Sequence, residues 1–232
     1  MSQAFQIAID GPVAAGKGTV SKLVAERLGF LYVDTGAMYR VAALLAIRNK
    51  LEMSLKYEDK IAQAVDQVEI MMRNPKEDEA DGRLTTVLVD REDVSWKIRT
   101  EKIGLGASAV SQLSKVRQVL VKKQQVIANN QNVIMEGRDI TYRVLPNAQL
   151  KIFLTASDTV RAKRRYTQLL VKGQDTDFEQ VYHDMSQRDK NDLERANDPL
   201  KIVDEAWVID TSDLEIDKVV DLICAKAKLM ME

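Results

Sequence analysis

A glycine-rich segment near the start of the chain limits the possible folds more than any other feature. Gly11–Thr19 reads GPVAAGKGT and fits the pattern G-x-x-x-x-G-K; the apolar run Phe5–Asp10 precedes it, and helical spacing up to Gly29 follows it. Between a strand and a helix, such glycines let the backbone curl around phosphate oxygens, and Lys17 adds a mobile cation. A glycine-rich turn with an incidental lysine would not need these flanking elements. We therefore predict nucleotide phosphate binding by Gly11, Pro12, Val13, Ala14, Ala15, Gly16, Lys17, Gly18 and Thr19.

Short apolar runs alternate with helical patterns along the rest of the chain. The further runs are Leu31–Asp34, Val133–Glu136, Leu150–Leu154 and Ala206–Asp210, and the helical patterns cover residues 36–49, 115–129, 158–172, 177–195 and 216–230. This alternation predicts an α/β fold with a five-stranded parallel sheet flanked by helices. Such sheets bind ligands at the carboxyl ends of their strands. Asp10-Gly11, Asp34-Thr35 and Glu136-Gly137 stand at those ends.

Residues 65–99 interrupt the alternation. Apolar residues 68–72 and the run Leu84–Val89 flank a polar stretch that contains Pro, Asp and Gly, a pattern that predicts a β-hairpin. We therefore predict one domain over residues 1–232, with 65–99 as a small inserted subdomain.

Charge and cysteine content narrow the class of function. The net charge is -1 and no long basic tract is present, which argues against binding a nucleic-acid polymer. The single cysteine, Cys224, excludes an intrachain disulfide and a cysteine zinc cluster. No secretory leader pattern and no apolar run long enough for a bilayer is present, so a cytoplasmic location without membrane contact is expected.

A second motif, DTGAMYR, follows the second predicted strand at Asp34–Arg40. A carboxylate at Asp34 can orient hydrated Mg²⁺, the Thr35 hydroxyl can reach a sugar hydroxyl, and Arg40 can clamp a phosphate. A helix start capped by Asp34 or Thr35 is an alternative, but capping does not explain Arg40.

The chain resembles bacterial cytidylate kinases, within the nucleoside monophosphate kinases of the P-loop class, almost from end to end. Six motifs carry the resemblance in the family's order: GPVAAGKGT, DTGAMYR, the insertion ending in EDVSWKIR, ASAVSQLSKVR, GRD, and RDKNDLER followed by DPL. The resemblance implies ATP-dependent, Mg²⁺-assisted phosphorylation of CMP and dCMP in pyrimidine nucleotide metabolism, with UMP as a weaker acceptor. It also implies that the insertion binds the monophosphate and that the protein is a monomer.

The resemblance further implies a role for individual residues. The catalytic residues are Lys17, Arg138 and Arg188, and the acceptor phosphate is held by Arg40, Arg138, Arg188 and Arg195. Cytosine is recognised by Ser108, Arg117 and Asp139, and the ribose is held by Thr35 and Asp192. The metal is contacted through water by Thr19 and Asp34. The chemistry agrees, because several arginines offset the repulsion between two phosphates, and a carboxylate beside an arginine matches the cytosine edge. Taken singly, the same residues also suit ordinary structural roles. Arg188 and Asp192 have the spacing of an exposed helix ion pair, and Asp139 and Ser108 suit helix starts.

The resemblance also makes residues 158–176 a lid over the triphosphate, with Arg161, Arg164 and Arg165 closing on ATP. An exposed basic helix face is the alternative. Gly18 departs from the general phosphate-loop pattern, in which Ser or Thr follows the lysine, but the ending G-K-G-T resembles nucleoside monophosphate kinases. The chain departs from the family pattern at Thr35 in place of serine, at Thr141-Tyr142-Arg143 in place of a Gly-Thr pair, and at Ser114-Lys115, where a proline usually precedes Val116-Arg117.

Two other functions fit parts of the sequence. A kinase of another small metabolite, such as a shikimate-type enzyme, would share the phosphate loop and the fold. A regulatory or nucleic-acid-binding P-loop ATPase would share the loop alone, but the balanced charge and the arginines near DTGAMYR and GRD argue against it. An assay of several acceptors with ATP separates the three.

Overall fold

Five parallel strands form the central sheet of the computed structural model, which describes residues 4–79, 81–171 and 173–232. They are β1 (Gln6–Asp10), β2 (Leu31–Asp34), β6 (Val133–Gly137), β7 (Leu150–Thr155) and β8 (Trp207–Asp210), in the order β2-β6-β1-β7-β8. The predicted five-stranded parallel sheet is confirmed. Its central strands are almost continuously apolar because helices cover both faces.

Eight α-helices accompany the sheet in the described part of the chain. They are α1 (Lys17–Leu28), α2 (Thr35–Arg48), α3 (Glu58–Asp66), α4 (Glu101–Val110), α5 (Ser114–Ala128), α6 (Asp158–Val171), α7 (Phe178–Glu194) and α8 (Ile216–Met231). Gly29 ends α1 with a left-handed φ of 70°, as predicted. The predicted last residue of the α6 segment, Lys172, lies outside the described residues. Nowhere in the described chain is a helix both long and apolar enough to cross a bilayer.

Helices α3 and α4 were not among the predicted elements. In α4, Gly104 and Gly106 weaken the helical pattern, since glycine lowers helix propensity. Packing explains Gly106, because a Cβ there would lie 2.8 Å from Met53 Sδ and 3.0 Å from Ala43 Cβ. Gly106 therefore lets α4 approach α2 closely, a tertiary contact that local spacing does not reveal.

The sheet separates two apolar clusters. On one face, Ala8, Val33 and Met135 pack with α2 and α5. On the other face, strand residues such as Ile7 and Ile134 pack with α1 and α8. Burial on both faces fixes the strands, so the loops at their carboxyl ends start from well-defined positions.

A second, antiparallel sheet contains β3 (Ile70–Arg73), β4 (Thr86–Val89) and β5 (Glu92–Asp93). The predicted hairpin is therefore confirmed, with β5 as an additional short strand. The Asn74 side chain accepts a hydrogen bond from Tyr32 N at 3.1 Å and donates one to Phe30 O at 2.9 Å. It therefore holds this small sheet beside β2, at the edge of the main sheet.

Candidate active site

The phosphate loop joins β1 to α1 in the predicted strand–loop–helix context. Ala14 and Gly16 have φ values of 58° and 91°, so left-handed residues occur within a short turn. Such turns gather backbone N–H groups into a concave anion site. Gly11 is required for a different reason, because a Cβ there would lie 2.0 Å from Leu154 O on the neighbouring strand β7.

Two cavities meet at this loop. The first, of about 340 Å³, is called the arginine-rich cavity. The second, of about 420 Å³, is called the apolar cavity because Val20, Leu214, Ile216 and Val219 contribute to its wall. Both are lined by Ala14, Ala15, Gly16, Thr19 and Gln168. A ligand in one cavity can therefore reach a ligand in the other across the phosphate loop.

Most of the predicted acceptor-site residues line the arginine-rich cavity, although they are far apart in the chain. These residues are Thr35, Arg40, Ser108, Arg138, Asp139, Arg188, Asp192 and Arg195. Helix α2 supplies the first two, the end of α4 supplies Ser108, and α7 with its C-cap supplies the last three. The fold thus brings these four arginines and two carboxylates together with the other charged residues of the same cavity.

Two of these arginines lie where a bound anion would stabilise their charge. Arg188, which remains exposed to solvent, has its pKa lowered to about 10, first by partial desolvation and then by the nearby charge of Arg138. Burial also lowers the pKa of Arg40. Arg138 itself forms an ion pair with Asp192 at 2.7 Å. A bound phosphate would relieve the repulsion among these cations.

Arg117 does not line the cavity. Its guanidinium is 1% exposed and lies behind Asp139, with which it forms an ion pair, and its Nε contacts Asp198 at 3.2 Å. Burial raises the pKa of Asp139 to about 6, although Arg117 and Arg195 oppose the shift. Asp139 therefore faces the cavity, and Arg117 holds its carboxylate from the protein interior.

The unusual segment Thr141-Tyr142-Arg143 lies in a π-helical turn over Ile140–Val144. Thr141 donates from its backbone N and its hydroxyl to Asp10, at 2.9 and 2.6 Å. The Tyr142 hydroxyl donates to Pro199 O at 2.5 Å. These contacts hold the turn after Asp139 against β1 and the 198–199 loop, while Asp139 still lines the cavity.

Lys17 is buried at the floor of the site. Its ammonium donates to Gly11 O at 2.8 Å and Pro12 O at 2.7 Å. Burial and, next, the charge of Arg138 lower its pKa to about 7, against the pull of Glu136 and Asp10. An anion bound beside Lys17 would therefore stabilise the charged ammonium form and raise its pKa.

Three residues that line the arginine-rich cavity received no individual role in the sequence analysis: Arg99, Glu136 and Tyr32. The position of Glu136, at a strand end, was noted there. Arg99, from the EDVSWKIR motif, contacts Asp34 Oδ2 at 3.1 Å. Asp34 also caps α2 through Ala37 N, so capping and a place in the cavity coexist. Burial, and then the charge of Asp34, raise the pKa of Glu136. Arg99 belongs to a motif that the sequence analysis quoted, but the packing of the insertion determines that its side chain faces the cavity.

The presence of glycine at position 18 has a local steric explanation. A Cβ at this position would lie 3.1 Å from Glu136 Oε1 and 3.4 Å from the Tyr32 hydroxyl. The Tyr32 hydroxyl already donates to Glu136 at 2.9 Å. A larger residue after Lys17 would therefore disturb this pair, which accounts for the departure from Ser or Thr.

The predicted lid arginines occupy three different environments. Arg161 is buried and contacts Asp189 and Val13 O rather than either cavity. Arg164 lines the apolar cavity and donates to Thr211 Oγ1 at 2.9 Å. Arg165 lines neither cavity, and burial lowers its pKa. The three side chains therefore cannot share one role in this conformation.

Comparison with known proteins identifies the relatives of the chain. Residues 7–229 match the family model described as cytidylate kinase. A cytidylate kinase of Caldicellulosiruptor bescii is 44% identical over 94% of this chain and 93% of that protein. A cytidylate kinase of Bacillus subtilis is 41% identical over 96% of each.

One solved structure adds information on the fold alone. It is an uncharacterized protein from Eubacterium ventriosum, with a TM-score of 0.51 and 13% identity over 97% of this chain and 98% of that chain. At this identity the likeness extends to the arrangement of helices and strands and to nothing further.

Proposed function

Because the chain belongs to the cytidylate kinase family, we propose that it transfers the γ-phosphoryl group of ATP to CMP, forming ADP and CDP. The observation that carries this proposal is the meeting of the two cavities at Gly16 and Thr19. A donor in one cavity and an acceptor in the other would place their phosphates on either side of the same loop. Phosphoryl transfer depends mainly on such positioning and on electrostatic stabilisation.

ATP occupies the apolar cavity in this proposal. Its base and ribose lie against Leu214 and Val219, and its phosphates extend to the residues Gly11–Thr19. Lys17 then leaves the carbonyls of Gly11 and Pro12 for the β- and γ-phosphates. Arg164, already at the cavity wall, stays near the donor.

CMP occupies the arginine-rich cavity. Arg40, Arg138, Arg188 and Arg195 bind its phosphate, and Thr35 and Asp192 bind the ribose. An acceptor phosphate oxygen attacks the γ-phosphorus while the bond to the β,γ-bridging oxygen breaks. The arginines favour this step because they offset the repulsion between the two approaching anions.

Asp139 and Ser108 recognise the cytosine edge, and Arg117 keeps the Asp139 carboxylate oriented. A carboxylate accepts a hydrogen bond from the exocyclic amine of cytosine, which uracil lacks. The same contacts fit dCMP, since the base and phosphate are unchanged, whereas UMP loses the amine contact.

Mg²⁺ is the metal that this chemistry uses, because it neutralises the charge that develops on the phosphates. In the described residues no group of three or more His, Cys, Asp or Glu side chains suits a metal. Thr19 lines both cavities, and Asp34 lies near the half-buried Glu136. Thr19 and Asp34, with Glu136 beside them, fit a cation held largely by phosphate and water oxygens.

An acceptor panel tests this function. Purified protein is assayed with ATP and Mg²⁺ against CMP, dCMP, UMP, AMP, GMP and shikimate, with ADP formation as the measurement. We expect CMP and dCMP to give the highest kcat/KM and UMP a lower one. A preference for shikimate or a purine monophosphate would overturn the proposal, as would ATP hydrolysis independent of every acceptor.

A further inference from the structure

A buried ion pair holds the phosphate loop from the side of helix α7. Asp189, which is 8% exposed, accepts a hydrogen bond from Val13 N at 2.9 Å through Oδ1 and contacts Arg161 through Oδ2. Arg161, which is 5% exposed, donates to Val13 O at 2.9 Å and to Ala156 O at 3.1 Å. Val13 is therefore held at both its backbone N–H and its carbonyl.

Val13 precedes a residue with an unusual backbone conformation. Ala14 has a left-handed φ of 58°, a conformation that residues other than glycine rarely adopt. Surrounding contacts must maintain such a conformation. Because Val13 is hydrogen-bonded on both sides, Asp189 and Arg161 are placed to keep the loop in the shape that lines both cavities.

Helix α7 also carries part of the other cavity. Arg188 is the neighbour of Asp189 in the sequence, and Asp192 follows one turn later; both line the arginine-rich cavity. The helix thus contacts the phosphate loop through Asp189 and the acceptor cavity through the adjacent residues. A helix moves largely as a rigid element, so a displacement or ordering at Arg188 reaches Asp189.

Desolvation makes this arrangement unlike a surface ion pair. Removing two charges from water is costly unless further hydrogen bonds compensate. Here the backbone of Val13 and the Ala156 carbonyl supply those bonds. The Arg161–Asp189 pair therefore stays together only while the loop, α6 and α7 keep their mutual arrangement.

We propose that Asp189 and Arg161 are positioning residues that couple the two substrate sites, so that acceptor binding orders the phosphate loop for the donor. This inference rests on the proposed function, because it takes the arginine-rich cavity as the CMP site. Coupling between two sites is reciprocal, so a donor analogue must tighten CMP binding by the same factor.

The test measures CMP affinity by calorimetry with and without AMP-PNP, a non-hydrolysable ATP analogue, in the presence of Mg²⁺. In the wild-type protein we expect AMP-PNP to tighten CMP binding by about fivefold or more. In Asp189→Asn the factor should fall below about twofold, while CMP affinity alone changes little. Asp184→Asn is the matched control, since Asp184 lies on the same helix and is exposed; it should keep the wild-type factor.

Arg161→Lys provides a second variant if Asp189→Asn does not fold. Lysine keeps the charge beside Asp189 but cannot donate to Val13 O and Ala156 O in the same geometry, so the coupling factor should also decrease. If either variant folds and keeps the wild-type coupling factor between AMP-PNP and CMP, the inference is wrong. A wild-type protein that binds both ligands without coupling would also overturn it, whereas failure to bind CMP would instead overturn the proposed function.

Hydrogen exchange tests the coupling in the wild-type protein itself, without a variant. CMP alone, without a donor, should increase the protection of residues 11–19 as well as of α7. Protection of α7 with no change in the phosphate loop would overturn the coupling.

Discussion

The carboxylate of Asp139 and the guanidinium of Arg117 form a buried ion pair in which only the carboxylate reaches the arginine-rich cavity. Asp198 supports the same guanidinium from another direction. The two residues were predicted to recognise cytosine together. Because only Asp139 lines the cavity, we propose a division of roles in which Arg117 orients Asp139 and Asp139 contacts the base.

This relationship leads to a prediction about base selectivity. In Asp139→Ala, kcat/KM for CMP should fall more than kcat/KM for UMP, because uracil has no amine for the carboxylate to accept from. A lost charged hydrogen bond corresponds to about 1.5–3 kcal/mol, or roughly a tenfold to hundredfold loss for CMP. Steady-state kinetics with both acceptors measures the change.

Arg188→Ala is the control for that experiment. Arg188 is proposed to bind only the phosphate, so CMP and UMP should lose activity in similar proportion. If Asp139→Ala also affects both acceptors equally, Asp139 does not recognise the base. Thermal unfolding of Asp139→Ala shows whether the protein remains folded when Asp198 is the one carboxylate partner that Arg117 retains among the described residues.

Lys17 should take up a proton when the donor binds. Its pKa is about 7 in the ligand-free protein, and a triphosphate favours the charged ammonium, so binding raises this pKa. At about pH 8 the free amine is mostly neutral, and AMP-PNP binding should therefore take up protons and weaken as the pH rises further. Calorimetry in buffers of different ionisation enthalpy measures the uptake.

Lys17→Met separates this effect from other titrating groups. The variant should lose turnover and most of the proton uptake at this pH while remaining folded. Near-normal activity would contradict the role of Lys17, and undiminished uptake would assign the proton to another group.

Replacing two glycines of the phosphate loop by alanine should lower the free energy of unfolding by different amounts. A Cβ at Gly16 meets nothing within 4 Å, so Gly16→Ala adds only left-handed strain, about 1–2 kcal/mol. In Gly11→Ala the Cβ meets Leu154 O, and relieving the clash requires β1 and β7 to move, so we expect about 3 kcal/mol or more. Urea unfolding without ligand compares the two; equal losses would contradict the steric origin of the difference.

The insertion should respond to CMP. Trp96 is 52% exposed and donates to Asp81 at 2.8 Å, and the nearby Arg99 lines the arginine-rich cavity. If the insertion closes on the acceptor, Trp96 changes its surroundings. In Trp207→Phe, which leaves Trp96 as the only tryptophan, saturating CMP should alter the emission, and cytidine, without the phosphate, should alter it less.

Hydrogen exchange complements the fluorescence measurement. Residues 65–99 should gain protection when CMP binds. Unchanged emission together with unchanged protection would show that the insertion does not move on acceptor binding.

The elements with strong local patterns could be predicted from the sequence. The apolar strand runs, the phosphate loop and the stop at Gly29 depend on residues close together in the chain, where hydrophobic period and backbone preference act directly. Helix α4 was missed for the opposite reason. Its residue Gly106 permits close contact with α2, so a tertiary interaction outweighed local propensity.

Most of the predicted acceptor-site residues share one cavity, but their individual directions followed from packing. Arg188 and Asp189 are adjacent in one helix, yet the first lines the arginine-rich cavity and the second contacts the phosphate loop. Helical spacing predicts which residues share a face, but not which neighbour each face meets.

The same limit applies to Arg161, which was predicted to close over ATP and lies against Val13. Sequence patterns are sufficient for the fold class and the phosphate loop because these follow from short-range period and backbone geometry. The order of charges around the site was decided by tertiary structure, because a buried arginine takes the position where carboxylates and carbonyls from distant segments compensate its lost hydration.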